Sequence, residues 1–324
     1  MSNGVSSGQH PLETENKIPG PATVWSTAAR PFAYSASALA VSVGFALASG
    51  EGQPIHWGPL AITLLGVLCF HTGANILNDC FDYQRGLDTE VLPTSGAVVR
   101  GWITESQALK AGGGLLAVGV LCGLALTWYA GWVVLLLGVA GALCAVGYTT
   151  PRFCLKYAGG GDLTVFLAFG VLVVFGTFWV QTRRFDWLPI LWSLPVALLT
   201  VGILHANNWR DLASDPGKGC RTVASRLGSR ASGHYYRVLV LSPFGLVGLY
   251  ALLGRFPQLG LPTPIATLLA FLALPMALRL ARAADPDLTV VPALLDARTA
   301  QLHLLFCLLC SAAFFISRYV PALG

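Results

Sequence analysis

Charged residues make up only 11% of this 324-residue chain, less than half the roughly 25% of an average soluble domain. With 55% of its residues hydrophobic, too few charges remain to cover the apolar surface, which excludes an ordinary water-soluble fold. Residues 1–22 lack any apolar run. They are polar and rich in Gly, Ser and Pro, so a disordered tail is expected there and not a secretory signal, leaving 23–324 as one membrane domain. Thiolate metal chemistry is also missing: the eight cysteines lie mostly inside or beside apolar segments, where Cys behaves as a small hydrophobe. Cys307-Leu-Leu-Cys310 reads as packing within a helix. The net charge of +5 points to anionic lipid or an anionic substrate, with no nucleic-acid partner.

What is present is a series of apolar runs. A hydrocarbon core about 30 Å thick needs about 20 residues of helix, and nine such segments can be placed, near 32–50, 57–80, 107–127, 131–149, 162–182, 187–208, 235–254, 261–281 and 300–319. Trp128-Tyr-Ala-Gly-Trp132 separates the third and fourth as an aromatic interfacial turn. The expected fold class is therefore all-α, a polytopic bundle of nine transmembrane helices. If the N-terminus is cytoplasmic and the spans alternate, only Arg183, Arg184, Arg255 and Arg318 of the 20 Lys and Arg residues fall outside. That asymmetry is the positive-inside rule and supports an odd number of spans.

Two polar runs close apolar segments on the basic side. The first is Asn75-Ile-Leu-Asn-Asp79-Cys-Phe-Asp82, the second Asn207-Asn208-Trp-Arg-Asp211-Leu-Ala-Ser-Asp215. Spacings of four and three in the first, and of four and four in the second, put Asn75, Asp79 and Asp82 on one helical stripe and Asn207, Asp211 and Asp215 on another. Carboxylates that close repel unless a cation joins them. Hard oxygen donors with no His or Cys in the stripe favour Mg2+, which takes one or two carboxylates and completes its shell with water and phosphate oxygens. The surrounding cations Arg85, Arg100, Lys156, Arg210, Lys218 and Arg221 suit a polyphosphate, so a lipid diphosphate in an apolar bundle is the expected substrate. One acidic loop after a membrane helix is commonly only solvated; two, each with an Asn at i−4 and both on one side, argue for two halves of one site.

These residues resemble a known family. Asn75 to Asp88 and Asn207 to Asp215, followed by Arg221-Thr-Val-Ala-Ser-Arg-Leu-Gly228, look like the two signature motifs of the UbiA superfamily of intramembrane prenyltransferases. Within it, the resemblance is to the menaquinone branch that prenylates 1,4-dihydroxy-2-naphthoate or menadiol. Arg30-Pro-Phe-Ala-Tyr-Ser-Ala-Ser37, Tyr148-Thr-Thr-Pro, Lys156-Tyr, Gly161-Asp162 and Gln181-Thr182 extend it over about residues 28–318. The resemblance implies a nine-helix bundle with a central cavity open to lipid and two Mg2+ ions gripping a polyprenyl diphosphate. Asn75, Asp79 and Asp82 would serve one ion and Asn207, Asp211 and Asp215 the other, with Asp88 as the distal acid of the first motif. Arg85, Lys218 and Arg221 would contact the diphosphate, Lys156 and Asp162 would lie on the acceptor side, and Tyr148 would orient either the acceptor or the allylic cation. Two departures stand out: Ser95-Gly-Ala-Val-Val-Arg100 replaces the usual Ser-Gly-Arg, and Gly219-Cys220 is inserted between Lys218 and Arg221.

The expected reaction is ionisation of an allylic diphosphate in a dry cavity, capture of the allylic cation by an electron-rich naphthoate, and loss of CO2. Gln181-Thr182 and the paired Asn207-Asn208 pull toward the naphthoate branch. Homogentisate, 4-hydroxybenzoate, chlorophyllide and a lipid glycerol phosphate remain as other acceptors. A cation-coupled transporter is a rival class, since buried carboxylates also mark ion pathways, but these stripes run out into charged loops instead of staying at the midplane. His71 and His205, one turn and half a turn before the motif asparagines, read as buried hydrogen-bonded imidazoles. Phe178 and Trp179 are either cavity wall or packing. A bacterial or archaeal plasma membrane, with the site facing the cytoplasm and no obligate protein partner, completes the expectation.

Overall fold

The computed structural model describes residues 18–50, 52, 54–86, 96–150, 154–213, 221–256, 258, 263–285, 291–292 and 294–320. Among them every regular element is helical. In order these are α1 (Pro21–Ala29), α2 (Tyr34–Gly50), α3 (Trp57–Gln84), α4 (Glu105–Ala130), α5 (Trp132–Thr149), α6 (Gly161–Val165), α7 (Val173–Thr182), α8 (Leu188–Arg210), α9 (Val223–Leu253), α10 (Leu274–Ala283) and α11 (Leu295–Tyr319). A π-helical stretch, Phe166–Leu172, joins α6 to α7, and a 3-10 stretch, Ile265–Ala273, leads into α10. Eight of the resulting continuous helices are long and apolar enough to cross a membrane, and the shorter Trp132–Tyr148 supplies a ninth.

Element ends follow the local chemistry. Thr104 caps α4 with a reciprocal capping box to Gln107. Gly131, at φ 93°, breaks α4 from α5 in a backbone region that favours glycine. Exposed Trp57, Trp128, Trp132, Phe185, Trp187 and Tyr319 all lie at the end of the bundle opposite the two Asn/Asp motifs, where amphipathic rings suit a membrane interface. That alternation leaves both motifs at the other end.

Two features differ from the sequence expectation. A separate short helix, α1, precedes the first expected span, whose own helix α2 starts at Tyr34, close to 32; α1 buries Val24 and Ala28 against Ile76, Cys80, Ala97 and Val98. Arg30 then turns the chain at φ 54°. The second difference is α9, which begins twelve residues before the apolar run at 235, because its first turns carry Arg226 and Arg230 and so lack hydropathy. Gly228 kinks it at φ 75°.

The main core lies between α2, α8, α9 and α11, where Trp192, Trp209, Tyr236, Phe306 and Phe314 are buried. Helices approach closely where side chains are absent. A Cβ on Gly44 of α2 would sit 2.3 Å from the Val174 carbonyl oxygen, and one on Gly170 of the π stretch 2.3 Å from Ala197 Cβ on α8. Replacing Gly44 with Val is expected to cost about 1–3 kcal/mol by overpacking, whereas Gly114, whose Cβ would meet nothing within 4 Å, should accept Val with little change. Thermal unfolding of both variants in one detergent checks this contrast.

Candidate active site

The last two turns of α3 carry the first motif, and each acid there has a cation. Arg30, swung in by the turn after α1, bonds Asp79, whose second oxygen accepts from the Gly96 amide at 3.3 Å. Asp82 is more heavily held: Lys156 Nζ donates to it at 2.9 Å, Tyr157 Oη at 2.8 Å and Asn78 Nδ2 at 2.8 Å. Both carboxylates are buried, which is tolerable in an apolar bundle because neither charge is left uncompensated. Burial alone would lower the Lys156 ammonium, but the Asp82 carboxylate outweighs it and holds the group well above its usual range. The Tyr157 hydroxyl is raised as well, by burial first and by Asp82 beside it, against the opposing charge of Lys156.

The second motif ends α8 and is organised by one guanidinium. Arg210 donates from Nε to Asp211 at 2.9 Å, from Nη2 to the Asn207 side-chain oxygen at 2.6 Å and from Nη1 to Asp296 at 2.8 Å. Asn207 Nδ2 completes the set to Asp211 at 3.4 Å. Planar donors in a fork match such a cluster of oxygens.

Asn75 and Asn207 wall the same cavity. It has a volume of about 330 Å3 and begins at Arg30, Asn75, Asn207 and Asp296. From there it runs down between α2, α3, α4, α5, α7 and α8 as far as Leu126, Val134 and Val180. Phe32, Phe70, Phe169, His71 and Tyr148 present rings to it, and glycines such as Gly66 and Gly119 keep it wide. A polar mouth over a long apolar chamber suits a molecule with an anionic head and a hydrocarbon tail.

The donors at the mouth fit Mg2+ by their chemistry: Asn75, Asp79 and Asp82 on one side, Asn207 and Asp211 on the other, are hard oxygen ligands. Among the described residues, no three His, Cys, Asp or Glu side chains converge to make a preformed cage. The acids are matched by Arg30, Lys156 and Arg210 instead.

The other expected residues are distributed as follows. Asp88, Asp215, Lys218 and the Gly219-Cys220 insertion lie outside the described residues. Arg85 donates to Cys154 Sγ at 2.7 Å and sits 6.0 Å from the Tyr157 ring. Arg221 is exposed, its backbone amide tied to the Tyr157 carbonyl at 3.1 Å, which joins the second-motif loop to the Lys156 loop. Arg100 lies over Trp102 at 4.7 Å. Tyr148 is on the cavity wall; Asn208 is buried and, unlike Asn207, does not line it. Asp162 is buried away from the wall, beside the Tyr235 hydroxyl and with His205 Nδ1 at 3.8 Å. Lys156, expected on the acceptor side, is tied to the first motif.

Seven more residues complete the placement. Gln181 sits at the end of the bundle opposite the motifs, where its side chain clasps both backbone groups of His56, at 3.0 and 3.2 Å; its role there is to join α7 to the start of α3. Phe178 and Trp179 are packing residues, the former fully buried and the latter donating to the Ala130 carbonyl at 3.0 Å. Arg30, Asn78, Tyr157 and Asp296 belong to the polar mouth and were not assigned roles from the sequence. Asp296 carries no spacing signal at all, being a lone acid at the start of α11.

A helical membrane bundle with two Asn/Asp motifs over one apolar chamber defines an intramembrane prenyltransferase class, and residues 37–293 match the UbiA prenyltransferase family. The chain belongs to that family. It is 32% identical, over 66% of its length and 67% of the relative's, to UbiA prenyltransferase domain-containing protein 1 of Dictyostelium discoideum. The human protein of that name is 31% identical, over 79% of this chain and 73% of its own. Among solved structures, a UbiA homologue from Archaeoglobus fulgidus bound to DMAPP and Mg2+ shares the fold. Its TM-score is 0.63 at 16% identity, covering 90% of this chain and 99% of the homologue.

Removing Lys156 alone strands a buried carboxylate, so Lys156→Met is expected to destabilise by about 3–5 kcal/mol, and adding Asp82→Asn should recover part of the loss. Because the folded ammonium is raised, its contribution is complete below the unfolded value of about 10.4 and is lost only as pH climbs through the folded one. The cost of Lys156→Met should therefore be equal at about pH 7 and pH 9.5; chemical unfolding at both values, with the double variant, measures it.

Proposed function

We propose that this chain transfers a polyprenyl group from an allylic diphosphate to an aromatic acceptor in a Mg2+-dependent reaction, with 1,4-dihydroxy-2-naphthoate as the acceptor and decarboxylation accompanying transfer. The observation that carries the reading is that Asn75 and Asn207, one from each motif, wall a single chamber that is polar at its mouth and apolar below. The Archaeoglobus homologue of the same fold was solved with an allylic diphosphate and Mg2+, which supports placing that substrate and ion here.

Two Mg2+ ions would be held by Asn75, Asp79 and Asp82 and by Asn207, Asp211 and Asp215, with Asp88 nearby; when bound they supply neutralisation of the departing diphosphate. Arg30, Lys156 and Arg210 already stand among these acids, and Arg85, Lys218 and Arg221 are the further cations assigned to the phosphates. The chamber wall holds the prenyl chain at about 0.8 kcal/mol per buried methylene and keeps water from the reacting carbon. The allylic C–O bond breaks with its electron pair leaving on the diphosphate, and the faces of Phe32, Phe70, Phe169 and Tyr148 stabilise the resulting cation. The acceptor ring carbon supplies the new C–C bond, and the electrons of its bond to the carboxylate return to the ring as CO2 departs. Asp162, behind the wall, positions its helix and is not required to touch the acceptor.

The relatives' shared name specifies no acceptor, so homogentisate or 4-hydroxybenzoate would use the same site with a changed chamber contact. The placement proposed is a plasma membrane, with the motif end toward the cytoplasm, no obligate protein partner and the bilayer as the solvent.

The test uses purified protein in nanodiscs with farnesyl diphosphate, 1,4-dihydroxy-2-naphthoate and Mg2+. Prenylated naphthoquinol detected by mass spectrometry is expected to vanish with EDTA and to fall at least about 100-fold in Asp79→Ala and in Asp211→Ala. Pyrophosphate release that persists in either variant would remove that motif from the reaction.

A further inference from the structure

Two charged side chains line the chamber, Arg30 and Asp296, and neither belongs to a motif. Asp79, Asp82 and Asp211 are not on the wall, so the one carboxylate among the described wall residues is that of Asp296. Arg30 ties the wall to the first motif through Asp79. Asp296 ties it to the second through Arg210, whose Nη1 donates to its Oδ2 at 2.8 Å.

The Asp296 side chain is held from two directions. It lies in the first turn of α11 and is buried, and its Oδ1 accepts from the Ala297 amide at 2.8 Å while its Oδ2 is engaged from α8. Arg210 is a shared partner, because the same guanidinium also donates from Nε to Asp211 and from Nη2 to Asn207. Stability alone is a weak reason for such an arrangement, since a buried ion pair often gives no more than an apolar substitute of the same volume. A carboxylate fixed where an anionic head group enters repels that head group, and the low dielectric around the mouth strengthens the repulsion. A divalent cation brought in with the phosphates reverses the sign, since the same carboxylate then attracts.

We propose that Asp296, outside both motifs, is a specificity-determining residue that restricts the chamber mouth to a diphosphate accompanied by a divalent cation, while its bond to Nη1 positions Arg210 across the second motif. This rests on the prenyltransferase reading and deepens it: the metal is required for the head group to bind, and not only for the C–O bond to break. The residue responsible stands on α11, far in sequence from either acidic run.

The experiment takes the full chain in nanodiscs and measures the Kd of a non-ionisable thio analogue of farnesyl diphosphate with Mg2+ and with EDTA. Wild-type protein is expected to bind the analogue about 100-fold more tightly with Mg2+. Asp296→Asn removes the charge and leaves an oxygen that can accept from Arg210; its Kd in EDTA should fall about 10-fold, its Kd with Mg2+ should rise, and the ratio between the two should shrink to about tenfold or less. Asp296→Glu, which restores the charge, should recover most of the wild-type ratio. Asp296→Ser, a residue suited to a helix start, loses the same charge by a different route and gives the same answer if the Asn variant does not fold. A merely structural role has another signature, a weakening by the same factor with and without Mg2+, and that result overturns the proposal. So does an unchanged pair of Kd values in the neutral variants, or wild-type binding that is indifferent to Mg2+. Wild-type protein that neither binds the analogue nor releases pyrophosphate from farnesyl diphosphate with any acceptor would overturn the prenyltransferase reading beneath it.

Discussion

The pairing of buried acid with buried base at one end of the bundle is the constraint on which the rest of the structure depends. A carboxylate placed at the edge of a hydrocarbon layer without compensation would cost several kcal/mol. Asp79 and Asp82 meet Arg30 and Lys156, while Asp211 and Asp296 share Arg210. These pairs gather the chain into two groups: the turn after α1, the end of α3 and the loop before α6 in one, the end of α8 and the start of α11 in the other. The chamber opens below both groups, with Arg30, Asn75, Asn207 and Asp296 at its mouth.

The same pairs bear on chemistry. Each acid is satisfied by a cation, and such cations also attract phosphate. Arg210 shows this most directly, since one guanidinium touches Asn207, Asp211 and Asp296 together. Below, the wall changes character within about one helical turn, from Asn75 to His71 and then to glycines and aromatics.

Much of this was legible in the sequence for identifiable reasons. Apolar runs near the thickness of a bilayer located nine helices, since membrane burial leaves a signal in every residue of a span. The spacing of Asn75, Asp79 and Asp82, and its echo at Asn207 and Asp211, marked both halves of the mouth through helical periodicity. What was hidden is what periodicity does not encode. Arg30 reaches Asp79 through a turn at positive φ after a nine-residue helix too short to register as a span. Asp296 is a lone acid whose meaning comes only from Arg210 across the bundle. Gln181 counts in the sequence only as a feature shared with the naphthoate branch; its place, at the end of α7 opposite the motifs where it clasps His56, comes from the fold.

The central claim is that the two motifs form one site completed jointly by metal and diphosphate. Isothermal titration of the purified protein with a non-ionisable thio analogue of farnesyl diphosphate, with and without Mg2+, tests it most directly. The account predicts that Mg2+ alone binds weakly, that the analogue binds tightly only with Mg2+, and that Asp79→Ala and Asp211→Ala each remove the coupling. Tight Mg2+ binding without the analogue, or coupling that survives loss of either acid, would contradict it.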